Sequence, residues 1–169
     1  MNDSFARRLM IETELDDLMS TVDQLSIDQQ AFLSTGDGRF QDGIYASAVN
    51  LDRQLDGLNA AMARSAAQRA PLAALSAAIK QVMDSVAESY DVRDARGSAA
   101  ALAFFDANEA VISKVKSQAT ELRTEIARDF SDQNARASNG LLAAIFFGAP
   151  AGVRFGRSGT GRDALRMAR

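Results

Sequence analysis

Four runs of apolar residues, each stepping alternately by three and four positions, constrain this chain more than any other feature. In the first, Ile11, Leu15, Leu18, Val22, Leu25, Gln29 and Phe32 follow one another with a single polar member. The second runs Ile44, Ala48, Leu51, Leu55, Leu58, Met62, and the third Leu72, Leu75, Ile79, Val82, Val86, flanked by Met83 and Tyr90. The fourth comprises Ala101, Phe104, Asn108, Val111 or Ile112, Val115, Ala119, Leu122, Ile126 and Phe130. A period near 3.5 places each run along one stripe of a helix, and stripes of that period pack as left-handed, near-antiparallel helices.

The interruptions between runs are short and chemically legible. Gly36 and Gly38 are able to take the positive φ that ends a helix, and Asp37 tolerates it or caps the next one. In the stretch 64–71, Ser65 and Gln68 stand at capping-box spacing while Pro71 is tolerated only near a helix start, so the third helix begins between 66 and 70. Gly97 reads as a helix stop with Ser98 as the next N-cap, and Asn139-Gly140 closes the fourth helix. Short links force neighbours antiparallel, which predicts an all-α, up-down-up-down four-helix bundle over 1–138. The first helix (4–35) and the fourth (99–138) come out longest, roughly 48 and 60 Å against about 40 Å for the other two at about 1.5 Å per residue. They are therefore expected to overshoot as a two-helix stalk at the end holding both termini. Leu9, Leu15, Leu122, Ile126 and Phe130 continue the apolar pattern there, which predicts a homodimer through helices 1 and 4.

Enzymatic readings of the first interruption fail on residue type. Gly36-Asp37-Gly38 lacks the third glycine, the preceding strand and the Gly-Lys-Ser/Thr ending of a phosphate loop. Residues 37–48 lack the spaced oxygens and closing glutamate of a calcium loop. With neither His nor Cys in 169 residues, the chain offers no thiol nucleophile, no usual zinc site and no Glu-x-x-His pair for a di-iron bundle. Neither an enzyme nor a metal or cofactor site is expected. A corner between two helices accounts for every residue.

Charge is unevenly spread. Residues 154–169 hold five arginines against Asp163; since the whole chain carries −3, the preceding 153 residues carry −7. So acidic a body is a poor partner for nucleic acid. Ahead of the arginines, residues 141–153 are uncharged for thirteen positions, short of the twenty or so that span a bilayer. The tail 139–169 reads either as disordered or as a remnant membrane segment with a positive-inside flank. The N-terminus has only Leu9-Met10-Ile11 as a continuous apolar run, so neither a signal peptide nor a first membrane helix is visible in it.

Two groups of polar residues are candidates for a site. An antiparallel bundle brings the turn at 36–39 beside that at 93–98, so Asp37 is expected to face Arg93 and Arg96, with Arg39 near Asp94. Surface pairing is the main expectation for these four tip residues, Asp37, Arg39, Arg93 and Arg96. Farther down, Gln29, Tyr45, Tyr90 and Asn108 fall at similar heights below the tip. Gln29 and Asn108 hold seam positions and should point inward, bonded to each other, to a Tyr hydroxyl or to buried water. Such a layer either fixes helix register or lines a small ligand pocket.

The stretch SIDQQAFLSTGDGRF (26–40) resembles the signature of the third-type CHASE domain, the cyclase/histidine-kinase-associated sensory extracellular module. Gln29, Phe32, Leu33, Thr35, Gly36, Asp37 and Phe40 match its Gln-Arg-Gly-aromatic-Leu-Leu-Thr-Gly-Asp run and following aromatic; Gln30, Ala31 and Ser34 depart. AQRAPLAAL (67–75) and RDARGSAAAL (93–102) look like the family's turns into its third and fourth helices. The resemblance covers about residues 8–138. It implies a sensory input domain facing the periplasm from a bacterial inner membrane, driving a kinase, cyclase or chemotaxis output that this chain does not contain. The other reading is a soluble helical scaffold or adaptor that dimerises through its seams without a ligand.

Overall fold

The computed structural model describes the backbone of residues 2–63 and 65–147 and the side chains of residues 5–63 and 65–136. Two compact units divide the chain, Met1–Gln133 and Asn134–Arg169. Five helices follow in order: α1 (Asn2–Thr35), α2 (Gly38–Met62), α3 (Ala66–Arg96), α4 (Ser98–Ala107) and α5 (Glu109–Phe147). No strand occurs among the described residues. The all-α, up-down-up-down bundle is the architecture observed, with α4 and α5 together forming the fourth arm.

The seams build the core. Leu15, Leu18, Val22, Leu25 and Leu33 of α1 are fully buried, as are Leu58, Leu75, Val115 and Leu122 of the facing helices. Each such side chain contributes about 1.5–3 kcal/mol of burial. In α2 the inward position is Ser47 rather than Ala48. Polar contacts across the helix faces set the register: Gln54 Nε2 donates to Thr21 Oγ1 at 3.1 Å, Lys116 pairs with Asp23 at 2.9 Å, and Lys114 Nζ donates to Gln81 Oε1 at 3.0 Å.

The turns are glycine turns. Gly36 has φ +73° and donates to the Phe32 carbonyl, ending α1; Gly38 already belongs to α2. Gly97 has φ +84° and serves at once as the stop of α3 and the N-cap of α4, so Ser98 is the first helical residue rather than the cap. At the other corner Ser65 takes the N-cap conformation of α3, but its hydroxyl bonds Asp129 and makes no capping bond.

Four expectations are corrected. The fourth arm is not one helix from 99 to 138. It breaks at Asn108, whose backbone N–H reaches both Phe104 and Phe105 carbonyls while its Nδ2 donates to the Phe104 carbonyl at 2.9 Å. An asparagine side chain competing for an i−4 carbonyl is a local alternative to the helical ladder. Second, Asn139-Gly140 does not end the last helix, which continues to Phe147. One interior glycine costs only about 1 kcal/mol relative to alanine, and the Leu-Leu-Ala-Ala that follows is strongly helix-forming. Third, the stalk is not where the apolar pattern suggested. Arg7 of α1 already bonds the Ala61 carbonyl at the end of α2. Leu15, Leu122 and Ile126 lie inside the bundle's own core, Phe130 is half-buried under Arg8, and Leu9 alone of the five is exposed. Fourth, α3 has 31 residues against 34 in α1, so the inner helices are not both short.

No helix among the described residues is long and apolar enough to cross a membrane. Of the segment 141–153, the backbone to Phe147 closes α5, while residues 148–153 and all its side chains lie outside the described residues. The arginine-rich stretch 154–169 lies outside them as well.

Candidate functional site: two polar layers in an apolar bundle

The distal layer lies about two turns below the 36–38 corner. Gln29, only 3% exposed, donates from Nε2 to Ser89 Oγ at 2.9 Å, and Ser89, fully buried, donates onward to the Val86 carbonyl at 2.6 Å. Gln29 and Asn108 line one crevice, together with Phe105, with a volume of about 10 Å³. That is room for about one water. Gln29 is thus bonded to Ser89 rather than to Asn108 or a tyrosine. Ser89 went unnoticed in the sequence reading, although it continues the third seam one step beyond Val86.

The two tyrosines do not join this layer. Tyr45 is 74% exposed on α2, because it sits one residue past the inward Ile44. Tyr90 lies against Phe32, ring centroids 4.9 Å apart in an edge-to-face arrangement. Its hydroxyl is buried without a partner among the described residues. Burial pushes the Tyr90 phenol above its ordinary pKa, since the phenolate would be poorly solvated there.

At the tip the charges pair differently from expectation. Asp37 caps Arg39 N at 3.0 Å and pairs with the Arg39 guanidinium at 2.6 Å, rather than with Arg93 or Arg96. A partner two residues away forms without closing a long loop, so the local pair wins. The Arg39 hydrogen bonds hold the Asp37 carboxyl below the usual carboxylate range and raise Arg39 in return. Arg93 turns inward instead. Its guanidinium lies 4.9 Å from the centroid of Phe32, and its Nε donates to the Leu33 carbonyl at 3.4 Å. A cation at the carboxyl end of α1 meets the negative end of that helix's dipole. A Cβ on Gly36 would overlap Arg93 Nη2. Arg96 is exposed, as is Asp94.

The second layer, at the base, was not anticipated. A cleft of about 320 Å³ opens among α1, the start of α3, and α5, lined by Arg7, Arg8, Gln68, Asp129 and Phe130 with Ile11 and Ile126 behind them. Asp129 accepts from Ser65 Oγ at 2.9 Å, Gln68 Nε2 at 3.1 Å and Gln133 Nε2 at 3.2 Å. Arg8 lies over the Phe130 ring at 5.3 Å and bonds Glu12. Gln68 is 6% exposed and its Oε1 is buried without a partner among the described residues. Part of the signal was present in the spacing: Arg7 and Gln68 each continue a seam by one step past Ile11 and Leu72, while Asp129 adjoins Phe130 at the end of the fourth. Reading Ser65 and Gln68 as a capping box hid it.

Neither layer brings together the pieces of a reaction centre. Among the described residues no three His, Cys, Asp or Glu side chains gather as a metal ion would require. What the geometry defines is a helical bundle whose apolar seams are interrupted at two heights by polar side chains. Residues 2–136 match the CHASE3 domain, and the chain belongs to that family of sensory domains of signalling receptors. No curated protein and no solved structure matches it.

Proposed function

We propose that this domain is the extracytoplasmic sensory input of a bacterial receptor, facing the periplasm, and that it passes a helix displacement to a kinase- or cyclase-type output. The observation that carries the reading is the family match over residues 2–136, nearly the whole bundle. The distal layer supports the displacement part. The fourth arm is interrupted for one residue at Asn108, which lines the same crevice as the buried Gln29 of α1, so α4 and α5 meet at the polar layer. A packed bundle shifts between discrete arrangements rather than deforming smoothly, and a break of this kind is where such arrangements differ at least cost. Association as a homodimer through α1 and the fourth arm belongs to the same proposal, supported by Phe5, Leu9 and Met10, which stand 63, 55 and 50% exposed at the start of α1. Sedimentation at rising concentration tests that part; a chain monomeric throughout removes it.

Membrane fractionation with protease protection tests the placement. In native cells the gene product should sediment with the inner membrane and be cut by protease added to spheroplasts. A product recovered in the cytoplasmic fraction and protected in intact spheroplasts would overturn it, and favour the scaffold reading.

A further inference from the structure

We propose that the basal cleft binds a small zwitterion, an α-amino acid with an apolar side chain. Two seams turn polar at this end, at Arg7 and Gln68, and Asp129 stands beside Phe130 at the end of the fourth. Polar helix ends are ordinarily solvated, but Gln68 is 6% exposed. Its orientation is fixed: Nε2 faces the Asp129 carboxylate, and a flipped amide would set oxygen against oxygen. Oε1 is therefore the atom left buried and unpartnered, an acceptor in want of a donor.

Charge on the cleft wall is separated rather than cancelled. All three partners of Asp129 are neutral donors, and no cation lies within ion-pair distance of it among the described residues. The Arg7 guanidinium donates through Nε at 2.7 Å, and through Nη2, to the neutral Ala61 carbonyl. Arg8, the second cation on the wall, is paired with Glu12, whereas the Arg7 guanidinium and the Asp129 carboxylate border the same cleft without meeting. Ala66 and Ala67, in the first turn of α3, line the same cleft, at the end of the helix where the dipole is positive. The complement is a molecule with an ammonium for Asp129, a carboxylate for Arg7 and the start of α3, and an apolar group for Ile11, Ile126 and Phe130. About 320 Å³ is at the small end of ligand sites, suited to a single amino acid.

The test is a titration of the full chain, followed by calorimetry and side-chain amide resonances, with leucine, isoleucine, valine, methionine and phenylalanine as probes. Saturable binding of at least one, shifting the Gln68 amide, is the expected result. For leucine, 4-methylpentanoate keeps only the carboxylate and 3-methylbutylamine only the ammonium; each should bind at least about tenfold more weakly than its parent. Asp129→Asn and Gln68→Met should each weaken binding by about tenfold in chains whose helical dichroism is intact. The analogue comparison needs no variant, so a misfolded substitution does not decide the matter. No saturable binding by any of the five up to about 10 mM, equal binding of either single-charge analogue, or shifts confined to the distal half would overturn the proposal. Binding is read in solution and does not depend on membrane placement, so failure here leaves the sensory reading standing, and the reverse.

Discussion

Two buried glutamines, one in each half of the bundle, occupy seam positions and meet different fates. Gln29 is closed off: its Nε2 meets Ser89, Ser89 meets a carbonyl, and the space beside it holds about 10 Å³. Gln68 is open: its Nε2 meets Asp129, its Oε1 meets nothing among the described residues, and about 320 Å³ lies beside it. The difference lies in the neighbours. A small hydroxyl on the adjacent helix takes up the Gln29 amide, and Val82, Phe105, Val111 and Ile112 help close the crevice around it. At the base the neighbouring helices supply Arg7 and Asp129, whose charges are expensive to enclose, and the helices part around them. A polar seam residue fixes register where its partners complete it and makes a site where they do not.

Substitutions that break or sharpen this contrast fall in order of expected size. The largest is Gly36→Ala at the distal corner. It forces a Cβ into a positive-φ position and pushes Arg93 off Phe32 and the Leu33 carbonyl, costing about 2–3 kcal/mol in a denaturant melt. An unchanged midpoint would mean that neither the positive φ at Gly36 nor the Arg93 contacts carry stability. At the base, Asp129→Ala strips Ser65 Oγ and Gln68 Nε2 of their acceptor, a loss of about 1–2 kcal/mol. A larger loss would show the cleft to be as closed as the distal layer, against the contrast drawn here.

The double change Gln29→Leu with Asn108→Leu should hold or raise the melting temperature, by up to a few degrees, while broadening amide resonances as the register loosens. A sharp fall would mean that the layer carries stability rather than register. The smallest effect is Tyr90→Phe, which removes a buried hydroxyl that has no partner and should move stability by no more than about 0.5 kcal/mol. Its pH dependence is more telling. Because burial raises the Tyr90 phenol above its unfolded value near 10, the folded state keeps its proton longer, and stability falls as pH climbs past about 10. In Tyr90→Phe that alkaline fall should be reduced.

Much of this was legible in sequence because burial follows period. Ile11 through Phe32, Ile44 through Met62 except Ala48, Leu72 through Val86 and Val115 through Ile126 could be assigned to the core from spacing alone, and Gly36 and Gly97 to the corners. The family followed from the stretch 26–40, and the match covers residues 2–136. Interactions decided between side chains were not legible. Asn108 looked like one polar seam residue among others, and its side-chain bond to the Phe104 carbonyl, at the point where the arm is interrupted, is not visible in spacing. Arg93 had Asp37 within nominal reach, yet a ring and a carbonyl at the end of α1 outcompeted it once Arg39 had taken the carboxylate. Ser89 and Gln68 lay in plain spacing, but each was passed over for a neighbour with a stronger local signal, Tyr90 in one case and a capping box in the other.

The most direct test of the contrast is hydrogen exchange at the two glutamine side-chain amides, followed by NMR on the intact chain. Both donate a hydrogen bond, so any difference reports access of water rather than bonding alone. The Nε2 hydrogens of Gln29, sealed beside a crevice for one water, should exchange at least about tenfold more slowly than those of Gln68 beside the open cleft. Equal rates, or faster exchange at Gln29, would contradict the division into a closed distal layer and an open basal one.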